Sequence, residues 1–235
     1  MTEYRGRDGA SLTARGITAG YDPRRPVVRD ATLVLPAGSV LGLVGPSGCG
    51  KSTLARVAAL LHAPYAGTVL VDGTPAPGAR YRAPRELRTA VGVVFQSPRA
   101  AVDPRLRLRD VIAEPLRATG RGGEAADRVA ELAELVGLTG ELLERRPHAV
   151  SDGQLQRACL ARALVARPRY LVCDEMTSML DASTTAALVG VVRDYQAATG
   201  CGVLAVSHDA ELLGRWADRT VELAELSGAA GGAPG

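Results

Sequence analysis

The chain has 235 residues, 46% apolar and 23% charged, with a formal net charge of +3. That length supports a sizeable buried core, the composition is ordinary for a globular protein, and the charge is too small to argue for nucleic acid. Apolar runs such as VLGLV and VGVVF fall far short of the roughly 18 residues a membrane span needs, and the opening MTEYRGRDGA lacks the apolar centre of a secretion signal.

In chain order, short runs rich in Val and Leu predict strands at VLGLVG (40–45), TVLVDG (68–73), AVGVVFQ (90–96), RYLVCDE (169–175) and CGVLAVSHD (201–209). The runs at 40, 169 and 201 are continuously apolar, as strands of a parallel sheet buried on both faces are. STLARVAALL (52–61) and TTAALVGVVRDYQAA (184–198) predict helices between them, which makes an α/β fold. From 97 to 168 no strand pattern occurs. RDVIAEPLRA, EAADRVAELAELVG and SDGQLQRACLARALVA space their apolar residues as helices do, so a helical insertion is expected within one domain. The tail SGAAGGAPG (227–235) reads as flexible. Cys49, Cys159, Cys173 and Cys201 form no C-x-x-C pair, which predicts reduced thiols in a cytoplasmic protein rather than a zinc site or disulfide framework.

GPSGCGKST (45–53) follows a predicted strand and opens a predicted helix, the setting that a phosphate-binding G-x-x-x-x-G-K-[ST] loop requires. Gly45, Gly48 and Gly50 let the backbone turn its N–H groups around a phosphate, with Pro46, Ser47, Cys49 and Thr53 completing the loop. Lys51 can bridge the β- and γ-phosphates of a nucleotide, and the Ser52 hydroxyl can ligate Mg²⁺. Asp174 and Glu175 end an apolar strand, where ligands of open α/β sheets sit; Asp174 is placed to hold Mg²⁺ and Glu175 to polarise an attacking water. Gln96 and His208 end two further strands and are long enough to reach a γ-phosphate, the metal or its water. VSDGQLQR (150–157) carries the S-x-x-Q spacing of a capping box through Ser151 and Gln154.

Taken in this order, GPSGCGKST, Gln96, VSDGQ, YLVCDE, SMLD (178–181) and His208 resemble the Walker A, Q-loop, signature, Walker B, D-loop and H-loop of an ABC-type ATPase subunit. The resemblance implies a single nucleotide-binding domain over 1–235. It would have a RecA-like P-loop NTPase core at about 12–96 and 168–225, with a mostly parallel sheet and an N-terminal antiparallel β region, a helical subdomain at about 97–167 and the flexible tail. It further implies that Tyr21 stacks on adenine, that Ser151, Asp152, Gly153 and Gln154 meet the ATP held by a partner subunit, and that Asp181 serves communication across the dimer. FQSPRAAVDPRLRLRDVIAEPL (95–116) and DEMTSMLDAST (174–184) are similar to segments of ATPases from peptide- and nickel-type importers. The implied setting is the cytoplasmic face of a membrane, with a second ATPase subunit, permeases, an extracytoplasmic substrate-binding protein and no nucleic acid. Its cofactors would be ATP and Mg²⁺.

The departures are Val150 and Asp152 in the signature, Met176 after Glu175, Met179 in the D-loop, and a chain that ends sooner past His208 than such ATPases usually do. Asp152 predicts a like charge beside the partner's phosphate. At about 7 Å and an effective dielectric of about 20 the repulsion is on the order of 2 kcal/mol per charge pair, and a weaker composite site is the expectation. Two other classes of function use the same loop: ABC ATPases acting on DNA or ribosomes, which usually carry two such domains or a long coiled-coil insertion, and small-molecule kinases, which have no use for a signature helix.

Overall fold

The computed structural model describes residues 9–78, 80–178 and 180–227. Met179, and the tail residues beyond Ser227, lie outside this description. Among the described residues there are two sheets. Strands β1 (Ser11–Ala19), β2 (Val28–Pro36), β4 (Ala66–Val71) and β5 (Thr74–Ala76) pair antiparallel in the order β2-β1-β4-β5. Strands β3 (Val40–Val44), β6 (Val91–Val94), β7 (Tyr170–Asp174), β8 (Gly202–Val206) and β9 (Arg219–Glu222) form a wholly parallel sheet in the order β6-β7-β8-β3-β9.

The strands buried on both faces still alternate. Leu41 and Leu43 of β3, Tyr170 and Val172 of β7, and Leu204 and Val206 of β8 enter one core. This core also holds the antiparallel sheet's Leu12, Ile17 and Leu33, with Leu54, Val57 and Ala58 of α1 (Lys51–Ala58). Val40 and Val44, Leu171 and Cys173, and Val203 and Ala205 point the other way, into a second core with the helices. A period of two thus survives inside a run that reads as uniformly apolar, because each face meets its own layer.

The span without strands is built from α3 (Leu108–Ala118), α4 (Ala125–Leu135), α5 (Gly140–Glu144) and α6 (Asp152–Leu164). Gly92 of β6 has to be glycine, since a Cβ there would lie 2.5 Å from the Ala163 carbonyl oxygen; this contact seats α6 directly on the sheet. The remaining helices are α2 (Arg85–Ala90), α7 (Ala182–Thr199), α8 (Ala210–Gly214) and α9 (Leu223–Leu226). Among the described residues no helix is long and apolar enough to cross a membrane. All four cysteines are free; burial pushes the Cys159 thiol up to about 11 and the Cys201 thiol up to about 12, leaving both unreactive at neutral pH.

Candidate functional site

Parallel pairing places the carboxyl ends of β3, β6, β7 and β8 along one edge, and the residues just beyond them form the site. After β3 the chain turns through Gly45, Gly48 and Gly50 at φ of 148°, 80° and 111°, backbone that a side chain rarely adopts, and Gly50 opens α1. Lys51 is only 4% exposed, and its ammonium donates to the Gly45 and Pro46 carbonyls at 2.8 and 3.0 Å. The lysine is therefore held over the loop that its helix follows. Lys51 is also the single lysine among 28 basic residues. Next to it, Ser52 Oγ donates to Asp174 Oδ1 at 2.8 Å, joining α1 to the end of β7.

Asp174 is 3% exposed, and burial pushes its carboxyl above the usual range, opposed by the Ser52 hydrogen bond and by the charges of Arg56 and Lys51. A buried carboxylate with one hydroxyl partner is an under-compensated anion. One hydroxyl and one carboxylate make a hard-oxygen pair that suits Mg²⁺, which takes few protein ligands and completes its shell with phosphate and water. Among the described residues no group of three or more His, Cys, Asp or Glu forms an all-protein metal cage.

Glu175 follows at φ 48°, a left-handed conformation uncommon for a residue with a side chain. Its N–H donates to the Val206 carbonyl at 3.0 Å, which anchors the turn to β8. The carboxylate stands 3.6 Å from His208 Nδ1, beyond a hydrogen bond but within reach of a small rotation. The glutamate is mostly enclosed and the histidine half exposed. Gln96 stands exposed just past β6.

Tyr21 is 72% exposed, which leaves a ring face open to solvent. Its hydroxyl accepts from Arg56 Nη1 at 2.8 Å, and its ring packs tilted on His62 with centroids 5.7 Å apart. A cavity of about 210 Å³ opens beside the P-loop, lined by Val27, Gly45, Pro46, Cys49, Glu222 and Leu223.

The signature residues stand apart from this cradle. Ser151 Oγ accepts from the Gln154 N–H at 3.2 Å, and Gln154 Oε1 accepts from the Ser151 N–H at 3.0 Å, a complete capping box at the start of α6. Gly153 faces α7, where a Cβ would meet Thr184 Cγ2 at 3.2 Å. Asp181 caps α7 by accepting from the Thr184 N–H at 2.9 Å, and bonds from the Ser183 hydroxyl and from Thr184 hold its carboxyl well below the usual range.

Two residues that the sequence did not single out enter here. The Asp152 carboxylate, read from the sequence as an uncompensated like charge, lies 2.7 Å from Arg99 Nε. Gln156, 1% exposed, donates through Nε2 to the carbonyls of Phe95 at 3.0 Å and Met176 at 2.9 Å. The signature helix is thereby bound to the residues flanking Gln96 and Glu175. Arg99 and Gln156 show no partner in the sequence; each finds one only when the chain after β6 and the end of β7 pack against α6.

Residues 28–178 match the ABC transporter family. The chain is similar to the nickel import ATP-binding protein NikE of Rhodospirillum rubrum, 40% identical over 225 residues, spanning 91% of this chain and 81% of that protein. It is also similar to the di/tripeptide transport ATP-binding protein DppF of Pseudomonas aeruginosa, 38% identical over 219 residues, with 88% and 68% covered. Among solved structures, the dimeric post-hydrolysis state of the ATP-binding cassette MJ0796 bound to ADP and Pi agrees with a TM-score of 0.79 at 26% identity, over 90% of this chain and 93% of that one. With a P-loop, an acidic strand end and a capped signature helix on one scaffold, the chain belongs to the ABC transporter family, of which it is an ATP-binding and ATP-hydrolysing subunit.

Proposed function

We propose that the chain drives an importer of peptides, nickel or metal-chelate complexes from the cytoplasmic face of the membrane, paired with a second ATPase subunit beneath the permeases. The Ser52–Asp174 pair at 2.8 Å carries the ATP-driven part of this reading, because it brings the P-loop and the acidic strand end together. The relatives named for nickel and di/tripeptide transport support the cargo class. One domain spans 1–235, with its core at about 12–96 and 168–225 and its helical subdomain at about 97–167.

Tyr21 offers its open ring face to adenine, and the loop from Gly45 to Thr53 wraps the phosphates. Lys51 exchanges its two carbonyl acceptors for phosphate oxygens. Ser52, Gln96 and Asp174 would hold Mg²⁺, which would supply positive charge beside the phosphates. Glu175 orients and polarises the attacking water, with His208 close enough to share a proton or hold the γ-phosphate end. Ser151, Asp152, Gly153 and Gln154 face the ATP held by the partner, and Asp181, capping α7 beside Gly153, couples the two sites.

A groove of about 630 Å³ between sheet and helical span, lined by Tyr81, Phe95, Glu114, Pro115, Arg162 and Ala166, begins directly before Gln96 and is the surface where a permease segment would press. A substrate-binding protein outside the cell would deliver the cargo, which this subunit does not touch. The test is Glu175→Gln in the transporter purified through a tag on this chain. Nucleotide is expected to stay bound while phosphate release stops; phosphate release at the unmodified rate would overturn the assigned role.

A further inference from the structure

We propose that Arg99 is the positioning residue of the signature half-site: it cancels the Asp152 charge and pins the loop that precedes α6, so that VSDGQ can accept an anion. The guanidinium is used on three sides. Nε meets Asp152 Oδ1 at 2.7 Å, Nη1 donates to the Pro147 carbonyl at 3.0 Å, and Nη2 donates to the Val150 carbonyl at 3.1 Å. A flat fork of donors does this and an ammonium does not.

The Arg99 and Asp152 side chains are about half exposed, at 47% and 51%. An ion pair so open adds little to folding, so its effect is sought in the field at the helix start. The N–H groups there attract an anion, whereas an unpaired carboxylate in the same turn would repel it. Paired with Arg99, the first turn of α6 carries no net side-chain charge.

The pair is also held in register with the neighbouring switch segment. Arg99 lies three residues past Gln96. The chain on either side is tied to α6 by Gln156 Nε2 donating to the Phe95 carbonyl at 3.0 Å and Arg162 Nη1 donating to the Ala101 carbonyl at 2.5 Å. Segment 95–101 is therefore tied to α6 along the length of the helix, which keeps the compensating charge beside the signature.

This inference rests on the reading that the signature meets the partner's ATP, and its test separates the two. KM for Mg-ATP is measured in the purified transporter for Arg99→Gln, Asp152→Gly, the double variant and Arg99→Lys, with thermal unfolding of each as a control. Arg99→Gln is expected to raise KM about tenfold. Adding Asp152→Gly should return it to within about threefold of the unmodified value, although the same glycine improves KM by less than threefold when Arg99 is present. Arg99→Lys, which keeps charge and loses the fork, should fall between. Should Arg99→Gln fail to fold, Asp152→Gly alone still decides: a tenfold improvement with Arg99 intact means the pair does not cancel the charge and overturns the proposal. Equal impairment of Arg99→Gln and the double variant overturns it as well, as does a KM unchanged in Arg99→Gln. If Glu175→Gln arrests hydrolysis while Arg99→Gln is silent, this inference alone falls; if Glu175→Gln is also silent, the reading of the site falls with it.

Discussion

The two half-sites proposed for ATP on this chain are made in different ways. The P-loop half is a set of strand ends: Lys51 and Asp174 are buried, and their geometry is fixed by parallel pairing of β3, β7 and β8. The signature half is an exposed helix start held by side chains, through the Ser151–Gln154 capping box, Arg99 and Gln156. The first half keeps its shape as long as the sheet exists. The second depends on a few side-chain hydrogen bonds and one ion pair, and in the proposed assembly this is the half that meets another subunit.

Substitutions in each half should separate these two modes. The largest effect is expected for Glu175→Gln, with steady-state turnover falling by a factor of about 100 or more, as loss of a positioned base commonly does. Tyr21→Ala should weaken ATP binding by about tenfold in equilibrium titration, while Tyr21→Phe keeps the ring and most of the affinity. Asp174→Asn should split the two readouts: nucleotide affinity drops, whereas Tm of the nucleotide-free chain rises by about 2–4 °C because an under-compensated buried anion is gone. Gln156→Leu keeps the volume but strips the buried Met176 carbonyl and the partly buried Phe95 carbonyl of their donor, a cost of about 1–3 kcal/mol, and a lowered Tm by calorimetry should report it.

The smallest effect concerns the Asp181 cap. Its carboxyl is held below the ordinary Asp value by the Ser183 and Thr184 bonds, so the cap stabilises α7 above about pH 4 and fades as pH falls further. Asp181→Ala should lower Tm slightly at pH 7, and the difference from the unmodified chain should shrink steadily as pH is lowered below about 4.

The same contrast explains what the sequence disclosed. The P-loop, the acidic pair and the strands at 40, 169 and 201 were legible because their signals are local: glycine spacing, a lysine at a helix start, and apolar runs of strand length. The capping box of α6 was legible for the same reason. β9 was not, since RTVE buries only Val221 and reads as polar. β1 is not legible as a run either; Gly16 at φ 61° interrupts its alternation, and its core residues include two alanines beside Leu12 and Ile17. Asp152 was visible as a charge but not as half of a pair, because Arg99 is distant in sequence and joins it only when the chain after β6 folds back over α6. Gln156 is hidden still more completely, inside a helix whose repeat of small and apolar residues says nothing of a polar bridge to Phe95 and Met176.

The most direct measurement is a single-turnover assay with γ-labelled ATP on the purified transporter, comparing the unmodified chain with Glu175→Gln. The account predicts labelled nucleotide retained as ATP in the variant and cleaved in the unmodified chain. Labelled phosphate appearing at the same rate from both would contradict it.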